Sequence, residues 1–316
     1  MIDLDSLETY PKLDPSGMGE HIGSLPRHCR DGYEQGLSLP LPPEYSDVTR
    51  VVILGMGGSA ISGDLLRTIA ELEGRIVVVH RDYGLPPFSD EHTLIIASSY
   101  SGETEETVSS FLQALGAPSR KLALTTGGEL GRIAQENGVP LIRIGLNAPP
   151  RATLGYSLFT LLGLFQSLGL ISDKSKEVAE TVEVLRGLSG ELYHLSPIPQ
   201  NMAKRLAMRL FDHLPVIYGA GILSDVARRW KTQLNENSKS HSFYEVFPEL
   251  NHNSVVGYSL PKWAANKVFV VMLSSTSLHE RILTRYKITG ELLSQAGIGY
   301  EMVTSRGESP LAQMMS

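Results

Sequence analysis

Short runs of apolar residues, each closed by a turn and followed by a helical period, alternate along the chain from Arg50 onward. The first run, Val51–Leu54, leads through a glycine-rich turn into a segment whose apolar residues recur at helical spacing. Apolar runs of this length, rich in β-branched residues, are typical of strands buried on both faces of a parallel sheet. Strands are predicted at residues 51–54, 76–79, 94–97, 121–124 and 141–144, with helices after Glu103 and Glu129. The first half therefore predicts an α/β fold, in which helices cover both faces of a parallel sheet.

The same order of elements returns in the second half of the chain. Leu214–Tyr218 and the glycine turn that follows it match Val51–Leu54 and its own turn. Further strands are predicted at residues 242–246, 267–273 and 300–303, with helices at 224–234 and from Leu278. We interpret the chain as two copies of one α/β unit. The second copy is expected to be shorter at its end, because a helix that begins at Pro310 and stops after Met315 is marginal by itself.

These patterns divide the 316 residues into segments, and a length of this size suggests two domains at about 150 residues each. Residues 1–47 are predicted to form an N-terminal extension packed on the first domain. The first sheet domain is expected at 48–150, a linking helical segment at 151–205 and the second sheet domain at 206–316. Residues 152–172 carry no charge and are long enough to cross a bilayer, but their hydroxyl and amide side chains favour a helix buried between domains or subunits.

Composition narrows the class of protein. The chain has 28 basic and 34 acidic side chains and no Lys/Arg-rich run, which argues against a nucleic-acid or anionic-membrane partner. The single Cys29 excludes a disulfide framework and a multi-cysteine zinc site, and it fits a reducing compartment. The N-terminus lacks the basic and apolar regions of a secretory signal, so a cytoplasmic location is expected.

Two loops that follow predicted strands carry groups suited to a phosphate. The first opens a helix with two glycines and a serine, where backbone amides and the helix dipole favour an anion. The second offers three hydroxyl groups, and both loops leave the carboxyl edge of the sheet, where they can face one crevice. A phosphate-monoester site is the interpretation we favour. The candidate phosphate-binding residues are Gly57, Gly58, Ser59, Ser99, Ser101 and Thr104.

Other interpretations of these loops stay open at this point. The first turn fits the dinucleotide fingerprint G-x-G-x-x-A, although His80 and Arg81 stand before Asp82, where an acidic ribose ligand would be needed. A plain packing turn is the second alternative. The third is that Ser101 or Thr104 only caps the following helix. A Walker A loop is excluded, because the chain has no Gly-Lys-Ser/Thr at the first turn.

The motifs resemble a known family. GMGGSA at 55–60 and SSYSGETEET at 98–107 are similar to those of the sugar isomerase (SIS) domain. PPRATLG at 149–155, QLNEN at 233–237 and FPELNHN at 247–253 resemble the bifunctional phosphoglucose/phosphomannose isomerases, and the resemblance runs from about residue 10 to 313. It implies two SIS-type parallel-sheet sandwich domains. It also implies a cofactor-free, metal-free aldose–ketose isomerase of glucose 6-phosphate and fructose 6-phosphate, with mannose 6-phosphate as a further substrate.

The resemblance also implies which residues act on the sugar. Glu236 is similar in position to the family's catalytic base, and a carboxylate that accepts and returns a proton suits transfer between C2 and C1. His252 resembles the ring-opening residue, which in the family comes from the other subunit, so a homodimer is implied. Arg151 suits stabilisation of a negatively charged enediolate. Glu249 and Asn251 are expected to orient His252.

A different function remains open from the sequence. Members of the family continue past the motif at Ser309–Ala312 into a segment with a threonine and a lysine near the substrate, and this sequence ends first. The alternative is therefore a sugar-phosphate sensor that binds without turnover. For Glu236, His252 and Arg151, ordinary structural roles are the alternatives to catalysis.

Overall fold

A computed structural model of the chain describes residues 3–6 and 8–316. The helices in these residues are α1 (Thr9–Leu13), α2 (Met18–Gly23), α3 (Leu25–Leu37), α4 (Gly57–Glu71), α5 (Glu105–Leu115), α6 (Gly128–Glu136), α7 (Leu154–Ser167), α8 (Ser175–Glu191), α9 (Met202–Leu210), α10 (Ser224–Asn237), α11 (Ala264–Lys267), α12 (Glu280–Gln295) and α13 (Pro310–Met315). The strands are β1 (Arg50–Leu54), β2 (Ile76–His80), β3 (Thr93–Ser98), β4 (Arg120–Thr125), β5 (Leu141–Arg143), β6 (Leu214–Ala220), β7 (Phe243–Phe247), β8 (Val268–Ser274) and β9 (Gly299–Thr304).

Residue contacts divide the chain into two units. Residues 24–182 form the first unit, and the described residues up to Gly23 together with residues 183–316 form the second unit. This division differs from the segments expected from the sequence, because the apolar helix α7 belongs to the first unit rather than to a linking segment. The predicted N-terminal extension is also divided between the units. Described residues up to Gly23 group with the second unit, and residues from Ser24 group with the first.

The first unit contains a parallel sheet in the order β2-β1-β3-β4-β5. Alternate strand residues face opposite sides of the sheet, and helices cover both sides. Val52, Ile95 and Ala123 pack with the apolar residues of α5 and α6. On the other side α4 approaches so closely that a Cβ on Gly63 would lie 3.1 Å from the Ile53 side chain. Burial on both faces explains why these strands read as uninterrupted apolar runs.

Helix α7 is buried within the first unit by α3 and α4. Glycines let the backbones of α3 and α7 touch: a Cβ on Gly36 would lie 2.1 Å from the Thr160 carbonyl oxygen, and one on Gly163 would lie 2.3 Å from that of Tyr33. The charge-free sequence of α7 is thus accounted for by packing inside one unit, and not by burial between domains or subunits. Among the described residues, no helix has both the length and the apolar character needed to span a membrane.

The second unit contains a parallel sheet in the order β7-β6-β8-β9. This repeats the order of the first four strands of the other sheet, with β6 in the place of β1. Helix α10 packs against β6 and β7, and Tyr286 of α12 joins a core formed with Tyr218, Phe247 and Met272. The predicted α/β class, with two copies of a parallel sheet covered by helices, is therefore confirmed.

Candidate functional site

The turn after β1 begins a long helix with its amino end exposed. Gly57 opens α4 with φ +49°, and the space that a Cβ would occupy there is open. A Cβ on Gly58 would lie 3.0 Å from the Pro150 carbonyl oxygen, so this position admits no side chain without displacing the neighbouring turn. The positive end of the α4 dipole is therefore presented on glycine backbone, as an anion site requires.

The loop after β3 holds its hydroxyls in a hydrogen-bonded arrangement. Ser99 Oγ and Thr104 Oγ1 are 2.8 Å apart, and the Gly102 amide donates to Ser99 Oγ at 3.1 Å. Ser101 is exposed, and its Oγ accepts from the Glu103 amide at 3.1 Å. Thr104 occupies the N-cap position of α5, but its side chain makes no capping bond. Helix capping therefore does not account for Thr104.

A hydrogen bond joins the two loops. The Tyr100 amide donates to Ser59 Oγ at 3.1 Å, which brings the start of α4 next to the hydroxyl loop. The carboxyl ends of β1 and β3 are adjacent because the two strands pair directly. The predicted phosphate-binding residues are thus gathered at one edge of the first sheet, as expected for loops of a parallel sheet.

The loop after β4 locks the hydroxyl loop from the other side, a contact that the sequence analysis missed. Gly102 has φ +75°, and a Cβ there would lie 2.0 Å from the Gly127 carbonyl oxygen. Gly128 has φ +63°, and its Cβ would lie 2.3 Å from the Ser101 carbonyl oxygen. The Leu130 amide donates to the Gly102 carbonyl at 2.9 Å. The Gly-Gly pair after a buried strand was the signal in the sequence.

Arg151 lies in a 3₁₀ turn that contacts the start of α4. This turn, Pro150–Ala152, precedes α7, and Thr153 Oγ1 fixes it by donating to the Pro150 carbonyl at 2.8 Å. Arg151 is partly buried there. The first unit thus brings Arg151 to the same edge of the sheet as the phosphate-binding candidates.

Glu236 lies in the last turn of α10 in the second unit and is partly buried. Arg229 stands two turns earlier on the same helix. Burial lowers the pKa of Arg229 to about 10, and the negative charge of Glu236 opposes that shift. The guanidinium stays protonated at neutral pH, so Glu236 faces a positive charge. Oriented with its amide oxygen toward Arg229, the Gln233 side chain accepts from the guanidinium at 2.7 Å.

His252 ends a 3₁₀ turn in the second unit, and it is exposed. Its neighbours do not hold it in the way expected from the sequence. Asn251 faces α12, where its amide donates to Thr289 Oγ1 at 3.0 Å, and the Glu249 carboxylate accepts from Asn253 at 3.0 Å. The expectation that Glu249 and Asn251 orient the imidazole is therefore not supported by their hydrogen bonds.

The second unit repeats the two loops of the first, and a glutamine side chain lies among the hydroxyls of its second loop. Gly221 has φ +50°, close to the +49° of Gly57. The loop after β8 carries Ser275, Thr276 and Ser277, and the side chain of Gln313 from α13 lies among these hydroxyls with 2% exposure. Gln313 Oε1 accepts from Ser277 Oγ at 2.9 Å and also from Ser275 Oγ, while Nε2 donates to Thr276 Oγ1 at 3.2 Å. The sequence analysis did not foresee this contact.

Comparison with known proteins identifies the family. The profile of the "Bacterial phospho-glucose isomerase C-terminal SIS domain" matches residues 199–316. The chain is 42% identical over 301 residues, 95% of its length and 89% of the relative's, to the bifunctional phosphoglucose/phosphomannose isomerase of Caldicellulosiruptor bescii. It is 33% identical over 267 residues, 84% of its length and 79% of the relative's, to the Aquifex aeolicus protein of the same name.

A solved structure supports the fold alone. The crystal structure of a hypothetical protein from Thermus thermophilus superposes with a TM-score of 0.70 at 16% identity, over 98% of this chain and 86% of that one. The family assignment rests on the sequence identity to the first two relatives and on the share of each chain that is aligned. The chain belongs to the bifunctional phosphoglucose/phosphomannose isomerase family.

Proposed function

We propose that this protein is an aldose–ketose isomerase that interconverts glucose 6-phosphate and fructose 6-phosphate and also accepts mannose 6-phosphate. The observation that carries the proposal is the hydrogen bond of 3.1 Å between the Tyr100 amide and Ser59 Oγ. It gathers an exposed helix amino end and a hydroxyl loop into one site suited to a single phosphate dianion. Its relatives bear the name of bifunctional phosphoglucose/phosphomannose isomerases. They favour an enzyme over a sugar-phosphate sensor.

In this proposal the phosphate anchors the substrate and is not changed. The amides of Gly57 and Gly58 and the hydroxyl of Ser59 bind it from one side. Ser99, Ser101 and Thr104 bind it from the other. Neutral donors bind a dianion without adding a fixed countercharge, so the product can leave. Binding energy from this unreactive group positions C1 and C2 for the chemistry.

The chemistry itself is a redox-neutral proton transfer within the sugar. His252 moves a proton from the O1 hydroxyl to the ring oxygen, which opens the ring. The Glu236 carboxylate then removes the C2 proton, the electron pair of that bond forms the C1–C2 double bond, and the C1 carbonyl pair moves onto O1 to give a cis-enediolate. Arg151 stabilises the negative charge on the enediolate oxygen. A proton then passes from the O2 hydroxyl to O1. As O2 becomes the carbonyl oxygen, Glu236 returns its proton to C1, which yields the ketose and restores the carboxylate.

We further propose a cytoplasmic homodimer in which His252 acts in the site of the partner copy. His252 is exposed, and the segment after it exposes large apolar side chains, with Val256 86%, Leu260 67% and Trp263 59% accessible. Exposed apolar side chains grouped in this way are typical of an interface surface. The single Cys29 is free, which suits a reducing compartment.

Exchange of the C2 proton with solvent tests the role of Glu236. In Glu236→Gln the exchange measured by NMR in D₂O should fall by about 10²- to 10⁴-fold, because the amide cannot accept the proton. Binding of glucose 6-phosphate, measured by calorimetry, should stay near the parent value. Glu291, an exposed carboxylate on α12, provides the control variant Glu291→Gln. Exchange at the parent rate in Glu236→Gln would remove the assignment, and a parent protein that binds the sugar without forming product would be a sensor.

A further inference from the structure

Tyr100 contacts segments that follow three other strands of the first sheet. It lies in the loop after β3, and its amide donates to Ser59 Oγ in the first turn of α4, the helix that follows β1. Its carbonyl oxygen accepts from the amide of Thr126, directly after β4, at 3.0 Å and from the Thr126 hydroxyl at 2.8 Å. Its phenol reaches the segment after β5. One residue therefore ties together the carboxyl-end segments of adjacent strands.

The phenol oxygen makes two hydrogen bonds to backbone in that last segment. It donates to the Leu146 carbonyl at 2.7 Å and accepts from the Ala148 amide at 3.0 Å. Leu146 is 46 residues away in sequence, so the contact is wholly tertiary. Both backbone groups lie in a stretch without helix or strand, where no regular ladder is available to satisfy them. The hydroxyl thus fixes the place of this segment.

The segment held by the phenol leads straight into the turn of Arg151. Ala148 precedes Pro149 and Pro150. Because the proline rings restrict φ, the position of Ala148 limits where the turn of Arg151 can lie. The Pro150 carbonyl then abuts Gly58 at the start of α4. Tyr100 and Gly58 therefore contact this segment on either side of Pro149, and Arg151 is the next residue after Pro150.

We propose that Tyr100 is a positioning residue whose hydroxyl sets the place of Arg151 beside the phosphate-binding loops. The inference rests on the proposed function, in which Arg151 stabilises the negative charge of the enediolate. The backbone contacts of Tyr100 to Ser59 and Thr126 need no particular side chain. The phenol oxygen makes the two hydrogen bonds to the segment of Arg151, so its removal leaves the backbone bonds of the phosphate-binding loops in place.

The test is Tyr100→Phe in the full chain, assayed with fructose 6-phosphate. We expect kcat to fall roughly ten- to hundredfold, the loss that a small misplacement of a charge-stabilising group produces. KM and the inhibition constant of inorganic phosphate should stay within about twofold, because the backbone bonds at the phosphate loops are kept. A kcat at the parent level would overturn the inference.

A matched control separates positioning from loss of stability. Tyr45 is buried in the first unit, and its hydroxyl donates to the Lys121 carbonyl at 2.8 Å, near the amino end of β4. Tyr45→Phe removes the same kind of bond away from the phosphate-binding loops, so we expect the parent kcat. An equal loss of kcat in both variants would mean that the effect of Tyr100→Phe is merely structural.

A double-mutant cycle tests whether Tyr100 acts through Arg151. In an Arg151→Ala background, Tyr100→Phe should change kcat less than twofold, because the group that it positions is gone. A full additional loss in that background would refute the link. If the parent shows no isomerisation, the proposed function fails instead. Hydrogen exchange at the Ala148 amide then decides on Tyr100 alone: unchanged protection in Tyr100→Phe would refute the contact.

Discussion

Gly102 has no room for a side chain, and replacing it by alanine should damage the hydroxyl loop in a measurable way. A Cβ there would lie 2.0 Å from the Gly127 carbonyl oxygen. That oxygen cannot retreat freely, because it accepts from the Gly131 amide at 3.1 Å and from Thr125 Oγ1 at 2.9 Å. One loop must move, and either movement breaks hydrogen bonds that hold the site together.

The cost can be divided into two parts. The left-handed backbone of Gly102, at φ +75°, costs an alanine about 1–2 kcal/mol. The clash adds an overpacking cost of about 1–3 kcal/mol, and each displaced hydrogen bond adds about 1 kcal/mol. We therefore expect Gly102→Ala to lower the free energy of unfolding by roughly 3–6 kcal/mol in total.

Gly74 provides a matched control in the same unit. Its φ is +72°, and nothing lies within 4 Å of the position of a Cβ. Gly74→Ala should therefore cost only the backbone part, about 1–2 kcal/mol. Urea unfolding of both variants should be followed by circular dichroism, because both tryptophans, Trp230 and Trp263, lie in the second unit. Equal midpoints for the two variants would show that the Gly127 contact contributes nothing and would refute the reasoning.

Two further predictions concern single side chains of the first unit. Burial by itself raises the pKa of Glu73, but hydrogen bonds from Lys174 and Ser172 lower it on balance below the ordinary 4.5. Its stabilisation is thus complete above pH 4.5 and is lost as the pH falls through the lower folded value, so Glu73→Gln should flatten the acid side of the stability curve. Parallel urea midpoints against pH for parent and variant would contradict this. Burial raises the pKa of the Cys29 thiol, and the residue has no exposed surface. Iodoacetamide should therefore label Cys29 only when urea unfolds the chain, as mass spectrometry can follow; fast labelling of the folded protein would be inconsistent with the structure.

The strands were predictable because a parallel sheet buries both faces of each strand. Such strands appear in the sequence as continuous apolar runs, and the run at residues 94–97 lies within β3. The packing of α3 on α7 was not predictable in the same way. It depends on glycines such as Gly36 and Gly163, which bring two backbones into contact without contributing to an apolar pattern. A glycine in a helix leaves space beside the backbone, and the sequence alone does not show which element packs into that space.

The site shows the same division between local and tertiary information. The hydroxyls of Ser99 and Thr104 were predictable because they directly follow a strand and precede a helix. The bond from the Tyr100 phenol to Leu146 was not, because the two residues are 46 positions apart. Glu236 and His252 were found through the resemblance to a family, and their pairing with the sugar remains a proposal. Functional groups next to a strand end can therefore be predicted from the sequence, while the tertiary contacts that hold them in place cannot.

The placement of Gln313 bears on how many ligands one chain can hold. Its carboxamide already satisfies the hydroxyls of Ser275 and Ser277. A tethered group competes at a high effective concentration, so a dissolved anion would have to displace a partner that never diffuses away. The presence of two similar sheet domains thus does not imply two binding sites for a sugar phosphate. Titration with a sugar phosphate should saturate at one equivalent per polypeptide.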